Sequence, residues 1–66
     1  MRISSRKVKR LMGAHLMTQQ TLADVAGVSR ATINAVLLKG SCSAQTVRKV
    51  AHALNVAPAD IVEQEV

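Results

Sequence analysis

Apolar residues recur along this chain at helical spacing, and capping residues cut the pattern into short segments. Val8, Leu11, Met12 and His15 fall on one side of a first segment, with Arg6, Lys7, Lys9 and Arg10 on the other. Ser4 or Ser5 is placed to cap that helix, Gly13 weakens its last turn, and Leu16 and Met17 lead into the next element. Thr18 then caps a second helix, Gln19 to Ala26, with Leu22, Ala23 and Ala26 inward. Gly27 ends it in a left-handed conformation, and Ser29 caps a third helix from about Arg30 to Leu38. Ile33, Val36 and Leu37 form the buried stripe of that helix, and Lys39 and Gly40 close it. After a short loop at Ser41 and Cys42, Ser43 caps a fourth helix to about Leu54, whose Val47, Val50, Ala51 and Leu54 repeat at i, i+3, i+4 and i+7. Asn55 suits a C-cap, and Pro58 suits the first position of a short fifth helix, with Asp60 and Glu63 at its positive dipole end and Ile61 and Val62 packing inward. No stretch alternates with period two over a strand's length between turn signals. The pattern predicts an all-α chain of four or five short helices, folded as a single domain over residues 1–66.

Composition narrows what such a domain does. At 66 residues the chain is near the lower size for folding without disulfides or metal, and with no Phe, Trp or Tyr its core must be aliphatic. The absence of aromatic rings also argues against single-strand and RNA binders that stack bases on them, and leaves duplex DNA open. Nine Lys and Arg against four Asp and Glu give a formal net charge of +5, which favours a polyanionic partner. The charge is uneven: Arg2, Arg6, Lys7, Lys9 and Arg10 crowd the start, while Asp60, Glu63 and Glu65 sit near the end. Cys42 is the only cysteine, so no internal disulfide forms and a reducing cytoplasm is the expected compartment. Flanked by Ser41 and Ser43, Cys42 has no neighbouring base or metal ligand and reads as an inert loop thiol. His15 and His52 lack a third ligand at metal spacing, so no metal or other cofactor is expected. No apolar run approaches the roughly 20 residues of a membrane span, and no signal-peptide core opens the chain. The expected place is therefore the cytoplasm, in association with the nucleoid.

The informative unit is Gln19 to Leu38. Two short helices joined by Gly27, Val28 and Ser29 make a helix-turn-helix, which needs small Ala23 where the helices approach, Gly27 for the turn, and Val28, Ile33 and Val36 to lock the second helix onto the core. Thr18-Gln19, Leu22-Ala23, Ala26-Gly27-Val28-Ser29, Arg30, Thr32-Ile33 and Gly40 resemble the Cro and phage-repressor type of helix-turn-helix proteins, the XRE family. Ser43, Thr46-Val47, Lys49-Val50-Ala51, Ala53-Leu54, Val56 and Asp60-Ile61 continue the resemblance, which spans about residues 3 to 62. It implies a compact, lambda-repressor-like domain of four to five helices whose third helix enters the major groove, usually as a homodimer on a palindromic operator. Thr21 to Ala26 also looks like the start of a LacI-type headpiece, but there the motif opens the chain, whereas here a basic helix precedes it.

Carried over onto this sequence, the resemblance implies base reading by Arg30, Ala31, Thr32 and Ala35, with Asn34 at the flank of that face. Arg30 is the only long donor among them. Phosphate contacts are implied for Gln19 at the start of the second helix, for Ser29 at the entry to the groove, for Lys39, and for the caps Thr18 and Ser43. Two departures stand out. The run Val36-Leu37-Leu38-Lys39-Gly40 is one residue longer than is usual before the loop glycine. Where relatives pair a base in the first helix with an acid in the third, this chain has Met12 and Leu37, an apolar pair expected to touch in the core.

These features point to a sequence-specific duplex-DNA binder, a transcriptional regulator of the phage or mobile-element repressor kind, and not to an enzyme. The rival readings are an antitoxin-type regulator that copurifies with a toxin, a protein-interaction module on the same fold, and the DNA-binding part of a longer enzyme such as a recombinase. Any protein partner, toxin or effector, is unknown from the sequence.

Overall fold

The computed structural model describes residues 1–63, in the order α1 (Ser5–Ala14), α2 (Gln19–Ala26), α3 (Arg30–Lys39), α4 (Ala44–Ala53) and a 3-10 turn (Pro58–Asp60). Every α-helix starts on a hydroxyl. Ser4, Thr18, Ser29 and Ser43 each accept a hydrogen bond from the backbone N–H three residues on, satisfying a donor that the helix itself cannot. At α2, α3 and α4 the residue three places after the cap is a threonine whose hydroxyl also meets the cap oxygen: Thr18 with Thr21 at 3.0 Å, Ser29 with Thr32 at 2.9 Å, and Ser43 with Thr46 at 3.0 Å. One local device, used three times, sets where these helices begin.

The exits are equally local. After α1, the Met17 N–H bonds Met12 O at 2.8 Å and the Leu16 N–H bonds Gly13 O at 3.1 Å, with Leu16 in the left-handed region at φ 55. The same closure follows α4, where Asn55 takes φ 59 and the Val56 N–H bonds Ala51 O at 3.0 Å. Gly27 (φ 73) ends α2 and Gly40 (φ 66) ends α3. The half-buried Met17, Val28 and Val56 that follow these left-handed residues pack against the core.

That core is wholly aliphatic: Val8 and Met12 from α1, Leu22, Ala23 and Ala26 from α2, Ile33, Val36 and Leu37 from α3, Val47, Val50, Ala51 and Ala53 from α4, together with Leu54, Ile61 and Ile3. No polar or charged residue is buried among the described residues, so apolar burial carries the fold without a polar network to satisfy. Met12 and Leu37, at the positions of the relatives' ion pair, are both buried in this one cluster.

Two expectations need correction. His15 does not extend the apolar stripe of α1. It is the exposed C-cap of that helix, because the stripe ends at Met12 once the chain turns at Leu16. The fifth helix is a single 3-10 turn, held by the Asp60 carboxylate accepting from the Ala57 N–H at 3.1 Å. The all-α expectation holds, with no sheet among the described residues and only isolated backbone bridges. Residues 2 and 3 make isolated antiparallel bridges, Arg2 with Ser41 and Ile3 with Val62. Ile3 N–H bonds Gly40 O and Ser4 N–H bonds Ile61 O, both at 2.8 Å, so the N-terminal segment ties the α3–α4 loop to the far end of the chain. Glu65, counted above with the acidic end, lies outside the described residues. No single described helix is long and apolar enough to cross a membrane.

Candidate nucleic-acid interface

Between α2 and α3 the chain turns through 114°, within the range of about 90–120° that distinguishes a helix-turn-helix from an ordinary antiparallel hairpin. Gly27 makes the turn possible. Its N–H and that of Val28 both reach Ala23 O, at 2.9 and 3.0 Å, and Ser29 then opens α3. Ala23, fully buried, leaves room for the second helix to approach the first.

The buried stripe of α3 is Ile33, Val36 and Leu37, so the opposite stripe faces outward. It consists of Ala31, Asn34, Ala35 and Leu38, again at i, i+3, i+4 and i+7, of which Ala35 is half-buried and the others exposed. Gln19, Arg30, Ala31 and Asn34 together line a shallow hollow of about 370 Å³ at the entry to α3. Arg30 is exposed there, in a first helical turn that contains no acidic residue, so guanidinium and helix dipole present positive potential on the same side.

Gln19, Arg30, Ala31 and Asn34 thus come together. Asn34, expected at the flank, sits mid-stripe. Thr32 stands apart, half-buried with its hydroxyl paired to Ser29. Ser29 and Thr18 cap adjacent helices, and their oxygens are occupied by the Thr32 and Thr21 amides at 3.1 Å. Lys39 is exposed at the opposite end of α3, and Ser43, the cap of α4, lies beyond the loop that follows it. Neither lines the hollow. Leu38 is the residue that sequence reading passed over, although its place seven residues after Ala31 gave the signal. It is 76% exposed.

The hinge angle and the caps are those of a helix-turn-helix, and the sequence matches accordingly. A model of the Cro/C1-type helix-turn-helix DNA-binding domain matches residues 7–65. The chain belongs to this family. No curated protein matches the Cro/C1-type chain. Among solved structures it is similar to a point mutant of hydroxyethylphosphonate dioxygenase, with 26% identity and a TM-score of 0.85. It is also similar to native PhpD with cadmium, with 27% identity and a TM-score of 0.82, and to PhpD with cadmium and a bound phosphonate, with the same two values. In each case the whole of this chain is covered, but it spans only 14% of the length of the solved chain.

Other candidate chemistry is sparse. No group of three His, Cys, Asp or Glu is placed to hold a metal ion among the described residues. Cys42 is half-buried, and loss of hydration pushes its thiol pKa up, with the N-terminal ammonium pulling weakly the other way. A raised pKa lowers the thiolate fraction, which suits the inert loop thiol expected from the sequence.

Proposed function

We propose that residues 1–66 act as one domain that reads a specific duplex-DNA operator and regulates transcription, in the manner of a phage or mobile-element repressor. The observation that carries this reading is the hollow at the start of α3, where Gln19, Arg30, Ala31 and Asn34 converge beside an outward stripe of small and apolar side chains. Arg30 takes guanine O6 and N7 in the major groove, Ala31 and Ala35 admit thymine methyls, and Asn34 supplies a short polar contact to a base edge. With its hydroxyl held by Ser29, Thr32 offers chiefly its methyl. Gln19, Thr18, Ser29, Ser43 and Lys39 contact phosphates and fix the register.

Domain extents of 32 × 22 × 18 Å allow two copies to sit side by side on one face of the duplex. Their α3 helices would then lie about 34 Å apart, one helical turn, as for a homodimer on a palindrome. A cytoplasmic, nucleoid-associated protein follows from this reading, and an effector or toxin partner would act through surfaces other than α3.

Selection of bound duplexes from a random library tests the proposal directly. The expected result is a palindromic consensus bound with a slope of log K against log salt near −5, corresponding to about six neutralised phosphates. Retention of no duplex, or of all duplexes alike, overturns it. The solved relatives favour one second reading: the same fold makes up a seventh or so of chains described as hydroxyethylphosphonate dioxygenase and PhpD, so it also serves as part of larger proteins. Under that reading the domain is a packing or interaction module, and selection would yield no consensus.

A further inference from the structure

The far end of α3 opens onto a second, larger concavity of about 630 Å³. Lys39 and Leu38 form one wall, and Arg6, Lys7 and Arg10 of α1, with Arg2 on the segment before it, form the other. Glu63 lines the same cleft as its one carboxylate among the described residues, against five cationic side chains. Arg6, Lys7, Arg10 and Lys39 are exposed and make no ion pair with a described residue, so their charge is not spent inside the fold.

Position decides what this charge faces. Leu38 belongs both to the cleft and to the outward stripe of α3, so the cleft continues the surface that carries Ala31, Asn34 and Ala35. Ten residues of helix are about 15 Å long, whereas the major groove is about 12 Å wide. A duplex that seats the hollow on its base edges therefore brings a sugar-phosphate strand against the other end of α3. We propose that the cleft between α1 and the end of α3 holds a backbone phosphate on the groove wall opposite the hollow, through Arg6, Arg10 and Lys39, while Leu38 packs on the adjoining sugar. This makes α1 part of the DNA-binding surface and extends the footprint of each domain beyond the bases it reads. It rests on the duplex-binding reading above.

Backbone hydrogen bonds join the two sides of the cleft. The Ile3 N–H to Gly40 O bond fixes α1's start against α3's end, and the Glu63 N–H is held by Arg2 O at 3.1 Å. Arg6, Arg10 and Lys39 thus line one cleft whose two sides are held together by backbone bonds, so that binding has only their side chains left to order.

The test uses the selected duplex with single phosphates replaced, one at a time, by neutral methylphosphonates. The wild-type chain is expected to lose affinity several-fold at one or more phosphates outside the base pairs whose identity matters. In Arg6→Ala/Arg10→Ala that sensitivity disappears and the salt slope becomes shallower by about two. Arg6→Lys/Arg10→Lys keeps most of the slope, and Arg48→Ala/Lys49→Ala, with the same charge change on exposed positions of α4, keeps the methylphosphonate sensitivity. Equal thermal melts of the four proteins establish that all are folded. The cleft assignment is overturned if the sensitivity survives in Arg6→Ala/Arg10→Ala, or if the α4 variant loses it as well, which would mean diffuse charge or an acidic protein partner at the cleft. A wild-type chain that retains no duplex at all overturns the DNA reading itself, and the cleft with it.

Discussion

The two ends of α3 are positioned by different kinds of interaction. At the N-terminal end everything is local: Gly27 turns, Ser29 caps, Thr32 braces the cap, and all lie within six residues of one another. At the C-terminal end the neighbours come from far along the chain, with Gly40 O bonded to the Ile3 N–H and the Cys42 N–H bonded to Met1 O at 2.9 Å. The end proposed to read base edges is thus set by the chain's nearest residues, while the end proposed to meet the backbone depends on the whole domain being closed. Substitution of an exposed side chain such as Arg30 at the first end should alter recognition with little change in stability; at the second, stability and general affinity should move together.

The largest expected effect tests the second end. Leu37→Glu places an unpaired carboxylate in an aliphatic core and should cost about 3–5 kcal/mol, much of what a domain of this size has. Adding Met12→Arg restores part of that loss if the two positions meet as the relatives' ion pair does. Strictly additive thermal melts would show that they do not couple.

At the reading end, Arg30→Ala should weaken binding by about 1–3 kcal/mol and relax preference at one base pair of each half-site. Lys39→Ala, at the other end of the same helix, should weaken binding to all sequences alike and make the salt slope shallower by about one. Titrations of both against single-base variants of the selected site measure the contrast, and it breaks if Arg30→Ala weakens every variant equally.

The two glycines sharpen it further. Gly27 and Gly40 share a left-handed backbone, so alanine at either should cost roughly 1–2 kcal/mol. A Cβ at Gly27 meets nothing within 4 Å, whereas at Gly40 it meets Ile3 O at 3.4 Å. That is ordinary van der Waals contact, so the left-handed backbone sets the loss at both and the two should fall equally in denaturant melts. A clearly larger loss for Gly40→Ala would mean that the N-terminal segment packs too closely on the end of α3 to admit a methyl group.

The smallest expected effect is a gain. Leu16 occupies the left-handed region with its side chain 91% exposed, so it bears strain without burying surface. Leu16→Gly removes the strain but frees the unfolded chain, leaving a net stabilisation of a few tenths to about 1 kcal/mol. A lower denaturation midpoint would show that Leu16 makes a contact that its exposure does not suggest.

Much of the fold was legible because it rests on local chemistry. The bounds of α2 follow from Thr18 and Gly27, and the buried stripes of α2 and α3 from their spacing, since cap and turn residues act on their own few neighbours. Arg30 and Gln19 were legible in the same way, through their places next to caps. For Thr32 the sequence left the use of the hydroxyl open, and only the distance to Ser29 shows that it is engaged at the cap. Leu38, already inside the expected span of α3, was passed over because an apolar residue at a helix end reads as core, and only its 76% exposure places it on the outward stripe.

By itself, then, the sequence determined the helix starts, the turn, the aliphatic core and the family, because each depends on residues near one another or on a pattern repeated along the chain. Tertiary structure alone decided that Ile3 is a core residue, that the first segment pairs with the loop after α3, and that the arginines of α1 share a cleft with Lys39. Those pairings join positions nearly forty residues apart. Backbone hydrogen bonds between distant segments leave no periodic trace in the sequence, because any residue but proline can donate them.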